Sequence, residues 1–406
     1  MTKRVVIVGS GIGGIRTAQG LRSAGFAGEV IVAGEEPDLP YDRPPLSKAY
    51  LAGQDGTEAV ALISQADAAA VGITLRLGAS AERIRPEEKS LVFDNGEVLP
   101  YDVCVVATGA AARPTPWNKL DGVHVLRSLA DSQALRDQLR ARREVAVIGG
   151  GFIGSEVAAT ARKLGLKVTV IDPLPLPLER TLGATVAQLI TELHHRNGVT
   201  TLFGAGVDSI DHSGTQLNLR LSTGTTLTTD AVVLGIGAIP NDGWLAGSGL
   251  PVSNGLLCDE FCRVQGRDDI FAVGDVARWY NPRYDGHVRV EHWTNAVEQA
   301  RCVAHNITHS DQLVPYAAIE YVWTDHYDWK VQVAGRPTHD AVATEAVVGD
   351  FTGPRPRGAV LYGDSSGALC GAVTVNWPRA IAACRQALAA HTPYAEALQG
   401  VTGTRR

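Results

Sequence analysis

Two stretches of this chain share one pattern: an unbroken apolar run that ends in Gly-x-Gly-x-x-Gly. The first is Val5-Val6-Ile7-Val8 followed by Gly9-Ser10-Gly11-Ile12-Gly13-Gly14. The second is Val145-Ala146-Val147-Ile148 followed by Gly149-Gly150-Gly151-Phe152-Ile153-Gly154. A short continuous apolar run reads as a strand buried on both faces. A helix-forming stretch follows each time, Ile15 to Ala24 and Ser155 to Leu164, and then a second apolar run, Val30 to Ala33 and Lys167 to Ile171. Each is a βαβ unit. The glycines permit a tight turn, close approach of backbone to a pyrophosphate, and close helix–strand packing. The helix N-terminus adds free N–H groups and partial positive charge for phosphates. Each unit also carries an acid after its second strand, Glu35 and Asp172, placed to accept hydrogen bonds from a ribose diol. A carboxylate at Asp172 favours a free 2′-hydroxyl, and hence NADH over NADPH. Arg180 nearby either receives a phosphate or is a solvated residue at a helix start.

Two further segments look alike. Tyr101 to Gly109 and Asp230 to Gly237 are each a buried strand running into a glycine turn, and each closes one unit. Pro114, Pro116 and Trp117 follow the first and Pro240-Asn241 the second, as crossovers between domains. Ile270-Phe271-Ala272-Val273-Gly274-Asp275 is an apolar strand ending in Gly-Asp, where a carboxylate can bind a ribityl hydroxyl. Beyond residue 320 the pattern changes. Lys330 to Ala334 and Leu369 to Val375 alternate like strands, Pro378 to Ala390 reads as a helix, and Gly400 to Arg406 as a loose tail. The expected fold class is α/β, with two Rossmann-like dinucleotide-binding domains and a C-terminal α+β domain. The expected boundaries are 1–111 with 244–319 for the first domain, 112–243 for the second and 320–406 for the third.

Composition removes several other classes. A net charge of −6 and a pI near 6.0 argue against nucleic acid or an anionic membrane as partner. No apolar run approaches the roughly 18 residues of a membrane helix. Lys3-Arg4 with Val5 to Val8 begins like a signal peptide, but the glycines interrupt it. The six cysteines form no CxxC and are irregularly spaced, so neither a zinc site nor a disulfide framework is expected. Reduced thiols point to a cytoplasmic protein without a bound metal.

With these motifs in view, the sequence resembles the FAD-dependent pyridine-nucleotide oxidoreductases. More narrowly it is similar to the NADH-dependent ferredoxin reductases of oxygenase systems. The narrow resemblance rests on Leu39-Pro40-Tyr41-Asp42-Arg43-Pro44-Pro45-Leu46-Ser47-Lys48, which is similar to that family's PYxRPPLSK flavin loop. Supporting segments are Ala107-Thr108-Gly109, Gly149 to Glu156, Gly235-Ile236-Gly237-Ala238-x-Pro240-Asn241, Ala272 to Asp275, and Glu291-His292-Trp293-x-x-Ala296. The resemblance implies a glutathione-reductase-type architecture spanning essentially the whole chain. It implies FAD contacts from Gly9, Gly11, Ile12, Gly13, Gly14, Glu35, Arg43, Pro44, Lys48, Ala81, Ala107, Thr108, Gly109, Arg127, Gly274, Asp275, Glu291, His292, Trp293 and Ala296. It assigns the nicotinamide cofactor to Gly149, Gly151, Ile153, Gly154, Glu156, Asp172, Arg180, Gly235, Ile236 and Gly237. Lys48 would sit beside the flavin with Glu156 paired to it, the cation stabilising negative charge on reduced flavin. Trp323, in Tyr321-Val322-Trp323-Thr324-Asp325-His326-Tyr327-Asp328, is similar to a tryptophan that covers the flavin in the family's FWSDQYD stretch. Here Val322 stands for the expected Phe, His326 stands for Gln, and residues 317–321 look altered in length.

The implied activity is electron transfer from NADH through FAD to a [2Fe–2S] ferredoxin that serves a cytochrome P450 or a Rieske oxygenase. Disulfide reductases of this fold carry a CxxxxC or CxxC pair at the flavin. Cys258 and Cys262 match neither spacing, so electrons are expected to leave the flavin directly. Two rivals remain open at the level of sequence. One is a related flavin reductase of rubredoxin, a quinone or a small molecule. The other is a redox-sensing FAD protein that works by interaction.

Overall fold

The computed structural model describes residues 3–338 and 342–403. The chain divides into two compact units, residues 1–42, 57–111 and 238–318 in one, and 43–56, 112–237 and 319–406 in the other.

The first unit is organised by a five-stranded parallel sheet. Its order is Ile270–Ala272, Val103–Val106, Arg4–Val8, Glu29–Gly34, Ile73–Leu77. Val5, Val6 and Ile7 are wholly buried, as their unbroken apolar run requires. Each such side chain contributes about 1.5–3 kcal/mol on burial. Helix Ile12–Ser23 returns from the first strand to the second and packs on helix Trp293–Thr308. The two helices meet closely because Gly20 lacks a side chain; a Cβ there would lie 2.9 Å from Ala304 Cβ. A small antiparallel sheet, Ala81–Arg85, Ser90–Phe93 and Val98–Pro100, completes the unit's crossover.

The second unit repeats this plan. Its parallel sheet runs Thr200–Phe203, Lys167–Asp172, Glu144–Ile148, Ala231–Leu234, Val123–Val125. Helix Phe152–Lys163 follows the central strand, and Val207–Ser213, Gln216–Leu221 and Thr226–Thr229 form the antiparallel meander. The repetition reaches the helix ends. Gly25 (φ 87°) and Gly165 (φ 89°) each stop a helix in the left-handed conformation. In each case the next N–H reaches back to the last turn, Phe26 to Leu21 O (2.9 Å) and Leu166 to Ala161 O (3.1 Å).

The same unit contains a five-stranded antiparallel sheet ordered Tyr321–His326, Trp329–Gly335, Leu369–Val375, Arg357–Asp364, Val342–Asp350. Helices Pro378–Ala389 and Tyr394–Gly403 pack on it. The tail expected from Gly400 onward is therefore helical through Gly403, because Ala397 and Val401, one turn apart, are buried. Residues 404–406 of that expectation lie outside the described residues. Residues 43–56 belong to this unit, although the chain on both sides of them lies in the other. Ser132 Oγ donates to Leu46 O (2.8 Å) and Thr160 Oγ1 donates to Ser47 O (2.8 Å), which anchors the segment on two helices. Among the described residues, no helix is long and apolar enough to cross a membrane.

Candidate functional site

The two glycine turns are built alike, bond for bond. Gly9 N–H donates to Ala33 O and Gly149 N–H to Ile171 O, both at 2.7 Å. Gly9 (φ 116°) and Gly149 (φ 102°) hold a conformation that favours glycine. A Cβ on Gly9 would fall 2.2 Å from Ala107 O, and one on Gly149 would fall 2.3 Å from Gly235 O. The third glycine of each fingerprint is equally constrained, since a Cβ on Gly14 or Gly154 would sit 1.9 Å from the carbonyl oxygen of Gly9 or Gly149. The middle glycines differ. Gly11 and Gly151 have ordinary extended backbone, and a Cβ on either meets nothing of the chain within 4 Å. Their bareness serves no packing purpose, which fits a surface that must admit a pyrophosphate. The helices that start there have no side-chain cap and no acid in the first turn. Their first N–H groups and positive dipole ends are thus available to an anion. The chain therefore fits one dinucleotide in each unit.

In the first unit Glu35 is exposed just past the strand Glu29–Gly34. Ile12, Gly13 and Gly14 open the helix, and a Cβ on Gly13 would come 3.1 Å from Val273. Gly274, with φ 77°, donates its N–H to the buried Gln299 Oε1 (2.8 Å). Asp275 beside it is half-buried, and its carbonyl accepts from Arg289 Nη1 (3.1 Å). Arg289 also binds Glu291 (2.7 Å). Trp293 Nε1 donates to Asp42 Oδ1 (2.7 Å), and Ala296 is buried one turn on in the same helix. Thr108 and Asn241 exchange two hydrogen bonds at 2.8 and 2.9 Å, which fixes the Ala107-Thr108-Gly109 turn. Ala81 is half-buried at the start of its strand.

In the second unit Asp172 is buried. Its Oδ2 accepts Gly150 N–H (2.7 Å) and its Oδ1 accepts Leu174 N–H (2.8 Å), so the acid is tied to the fingerprint turn itself. Each oxygen keeps a lone pair for a second donor. Ile153 is an exposed apolar residue in the helix's first turn, and Gly235, Ile236 and Gly237 follow the neighbouring strand Ala231–Leu234. Arg180 is exposed on the short helix Glu179–Leu182. Arg43, Pro44, Lys48, Arg127 and Trp323, which the resemblance connects with FAD, all lie in this unit; Arg43 Nη1 donates to Arg127 O.

The chemically distinctive feature of this unit is a buried carboxylate. Glu156, on helix Phe152–Lys163, is 3% exposed. Its Oε1 binds Lys48 Nζ at 2.8 Å, and Lys48 also donates to Pro44 O (3.2 Å). Thr324 Oγ1 donates to the same Oε1 (2.6 Å), Ser47 Oγ donates to Oε2, and Asp325 N–H approaches Oε1 at 3.4 Å. A carboxylate so buried requires such donors. Burial raises the Asp325 carboxyl from its ordinary value, and Lys48 opposes the shift. Burial, helped by Lys48, pushes His326 down to about 3. Trp323 is half-buried on the strand face opposite Thr324 and His326.

Sequence reasoning named Lys48 and Glu156 but passed over Ser47, Thr324 and His326 as members of this cluster. The signal for the last two is their i, i+2 spacing on one strand, which puts both on the face toward helix Phe152–Lys163. All six cysteines are free. Burial pushes the Cys104, Cys258, Cys262 and Cys384 thiols up, away from the reactive thiolate.

Residues 3–300 match the family model described as pyridine nucleotide-disulphide oxidoreductase, and residues 321–399 match the one described as reductase C-terminal. The chain belongs to the pyridine nucleotide-disulphide oxidoreductase family. It is 37% identical to the rhodocoxin reductase of Rhodococcus erythropolis, over 96% of this chain and 90% of that one. It is 38% identical to the ferredoxin–NAD(+) reductase component of the anthranilate 1,2-dioxygenase system of Burkholderia cepacia, over 95% and 94%. Among solved structures, the covalent putidaredoxin reductase–putidaredoxin complex matches with a TM-score of 0.90 and 33% identity, over 96% of this chain and 94% of that one. As members of this family do, the chain uses FAD and NADH.

Proposed function

We infer that this protein is an NADH-dependent FAD flavoprotein that passes electrons to a [2Fe–2S] ferredoxin serving a cytochrome P450 or a Rieske oxygenase. The reading is carried by one observation: two dinucleotide cradles of the same geometry in a chain that matches, over 96% of its length, a putidaredoxin reductase solved in complex with putidaredoxin. The balance is NADH plus two oxidised ferredoxins giving NAD⁺, one proton and two reduced ferredoxins.

FAD, when bound, accepts an electron pair and gives it up one electron at a time. In this reading Gly9, Gly11, Gly13, Gly14 and the helix behind them hold its pyrophosphate, Glu35 its ribose, and Gly274-Asp275 its ribityl chain. The residues from Gly149 to Gly154 hold the NADH pyrophosphate, and Asp172 accepts a ribose hydroxyl and disfavours a 2′-phosphate. Glu156 fixes the Lys48 ammonium, a preorganised positive charge for the negative charge that develops during transfer. Trp323 shields the reacting centre.

The proposed domains are FAD-binding 1–111 with 244–319, NAD-binding 112–243 and C-terminal 320–406. The join between family matches at 300 and 321 supports the last boundary. Six free thiols support a reducing compartment, and we place the protein in the cytoplasm. The test is NADH-driven reduction of cytochrome c by the purified holoenzyme with and without a [2Fe–2S] ferredoxin. Strong dependence on ferredoxin and preference for NADH are expected; equal rates without ferredoxin, or a preference for NADPH, would overturn the reading.

A further inference from the structure

Behind the Lys48–Glu156 pair lies a polar chain that the proposed electron transfer does not use. Thr324 and His326 are wholly buried, His194 is 2% exposed, and all three lie in the second unit. Thr324 Oγ1 sits 2.6 Å from Glu156 Oε1 and 2.9 Å from His326 Nε2. A hydroxyl has one proton to give. Glu156, ion-paired to Lys48 at 2.8 Å, is a hydrogen-bond acceptor, so the Thr324 proton points to Glu156. His326 Nε2 must then carry a hydrogen and donate it to Thr324. The other ring nitrogen, Nδ1, is buried with no hydrogen-bond partner among the described residues. A proton there would be a buried, unmatched donor on a cation, so the ring is neutral and its tautomer is set.

The surroundings agree. His194 stacks at a tilt against His326, with ring centroids 5.9 Å apart, and its Nδ1 lies 2.9 Å from Tyr327 Oη. Burial and the neighbouring His326 and His195 push His194 down as well, to about 3. Burial raises the Tyr327 phenol, against Arg162. The remaining charges around the cluster are Lys48, Asp325, Lys163 and Lys330, and among them Lys48 bears on His326. Among the described residues, the charge that bears on the ring, Lys48, disfavours an imidazolium.

We propose that His326, backed by His194 and Tyr327, is a positioning residue. Locked as the neutral Nε2–H tautomer, it directs the Thr324 proton onto Glu156 and so holds the carboxylate that orients Lys48. The device is a one-way row of donors, His326 to Thr324 to Glu156, with Lys48 and Ser47 completing the carboxylate's partners. Its effect on turnover rests on the NADH-reductase reading above; its hydrogen-bond direction does not.

Two measurements on the oxidised holoenzyme test it. Nitrogen-15 NMR of labelled histidine, with His326 assigned from its absence in His326→Gln, should show an Nε2–H tautomer that does not titrate between pH 5 and 9. An Nδ1–H tautomer, or titration near pH 6.5, would overturn the proposal even in an enzyme with full activity. Stopped-flow reduction by NADH is then compared across pH for wild type, His326→Leu and His326→Gln. The bond that His326→Leu removes joins two neutral groups and is worth about two- to tenfold in an equilibrium, so the limiting reduction rate of the Leu variant should fall by about that factor. The apparent Kd for NADH should hold. The Gln variant, whose amide can donate to Thr324, should restore the wild-type profile. Coincident profiles for all three, or equal damage in Leu and Gln, would refute the positioning role.

Discussion

Replacing Gly151 by alanine separates what the second glycine turn does for folding from what it does for a ligand. The backbone there has φ −71° and ψ −171°, a conformation alanine adopts freely, and its Cβ would meet nothing within 4 Å. Folding should therefore change little: about 0.4–1 kcal/mol gained from lost freedom in the unfolded chain is offset by alanine being a poorer helix N-cap than glycine. The melting temperature should stay within about 2 °C of wild type for a body of 150–250 residues. Binding should be weakened. A methyl on the surface where a pyrophosphate approaches costs about 1.4 kcal/mol or more, hence at least about tenfold in NADH affinity. Gly154→Ala is the internal control. Its Cβ would lie 1.9 Å from Gly149 O, so the helix must shift, at about 3 kcal/mol and a drop of roughly 6–12 °C. The assay is thermal melting by circular dichroism beside the NADH dependence of flavin bleaching. The reasoning fails if Gly151→Ala melts several degrees low, or if its NADH affinity is unchanged.

Three other outcomes follow from the same geometry. Asp172→Ala should weaken NADH and relax rejection of NADPH; it should also loosen the turn, because Gly150 N–H loses its acceptor. Unchanged kinetics with both nucleotides would reject that role. Glu156→Ala orphans the buried Ser47 and Thr324 hydroxyls at about 1–3 kcal/mol each, whereas Glu156→Gln keeps an acceptor oxygen for one and offers an amide N–H to the other. The Ala variant should melt several degrees below the Gln variant, and equal melting temperatures would contradict the network. His194 and His326 sit at about 3 in the folded chain against about 6.5 unfolded. Their neutral burial costs nothing above pH 6.5, and stability is lost as pH falls from 6.5 toward 3. The loss at pH 5 is about 2 kcal/mol per histidine. Urea unfolding at pH 7 and pH 5 should show this fall, and His326→Gln should lose about 2 kcal/mol less than wild type.

The two cradles were legible because their signals are local. An apolar run, three glycines at fixed spacing and an acid some twenty residues on fall within one βαβ unit, and the backbone geometry of Gly9 and Gly149 explains why each glycine is there. The carboxylate cluster was half legible. Lys48 and Glu156 came from a resemblance, but the donors that complete the site, Ser47 and Thr324, are brought to Glu156 only by the folded second unit. No periodicity within one segment encodes such a long-range meeting. The loose tail expected from Gly400 is helical through Gly403 for a smaller reason: Ala397 and Val401 bury enough surface to hold the last helix. Hydrogen bonds from Ser132 and Thr160 hold the Arg43–Gly56 segment in the second unit, a long-range effect that the segment's own sequence does not encode.

In the proposed function one chain takes electrons from NADH in pairs and hands them singly to an iron–sulfur protein. Sequential-mixing stopped flow tests it directly: the oxidised holoenzyme is mixed anaerobically with one equivalent of NADH, then with two equivalents of oxidised [2Fe–2S] ferredoxin. Flavin absorbance should fall rapidly in the first mix. In the second mix the absorbance should return in full as two ferredoxins are reduced. Flavin that bleaches with NADH but stays bleached in the presence of ferredoxin would contradict it.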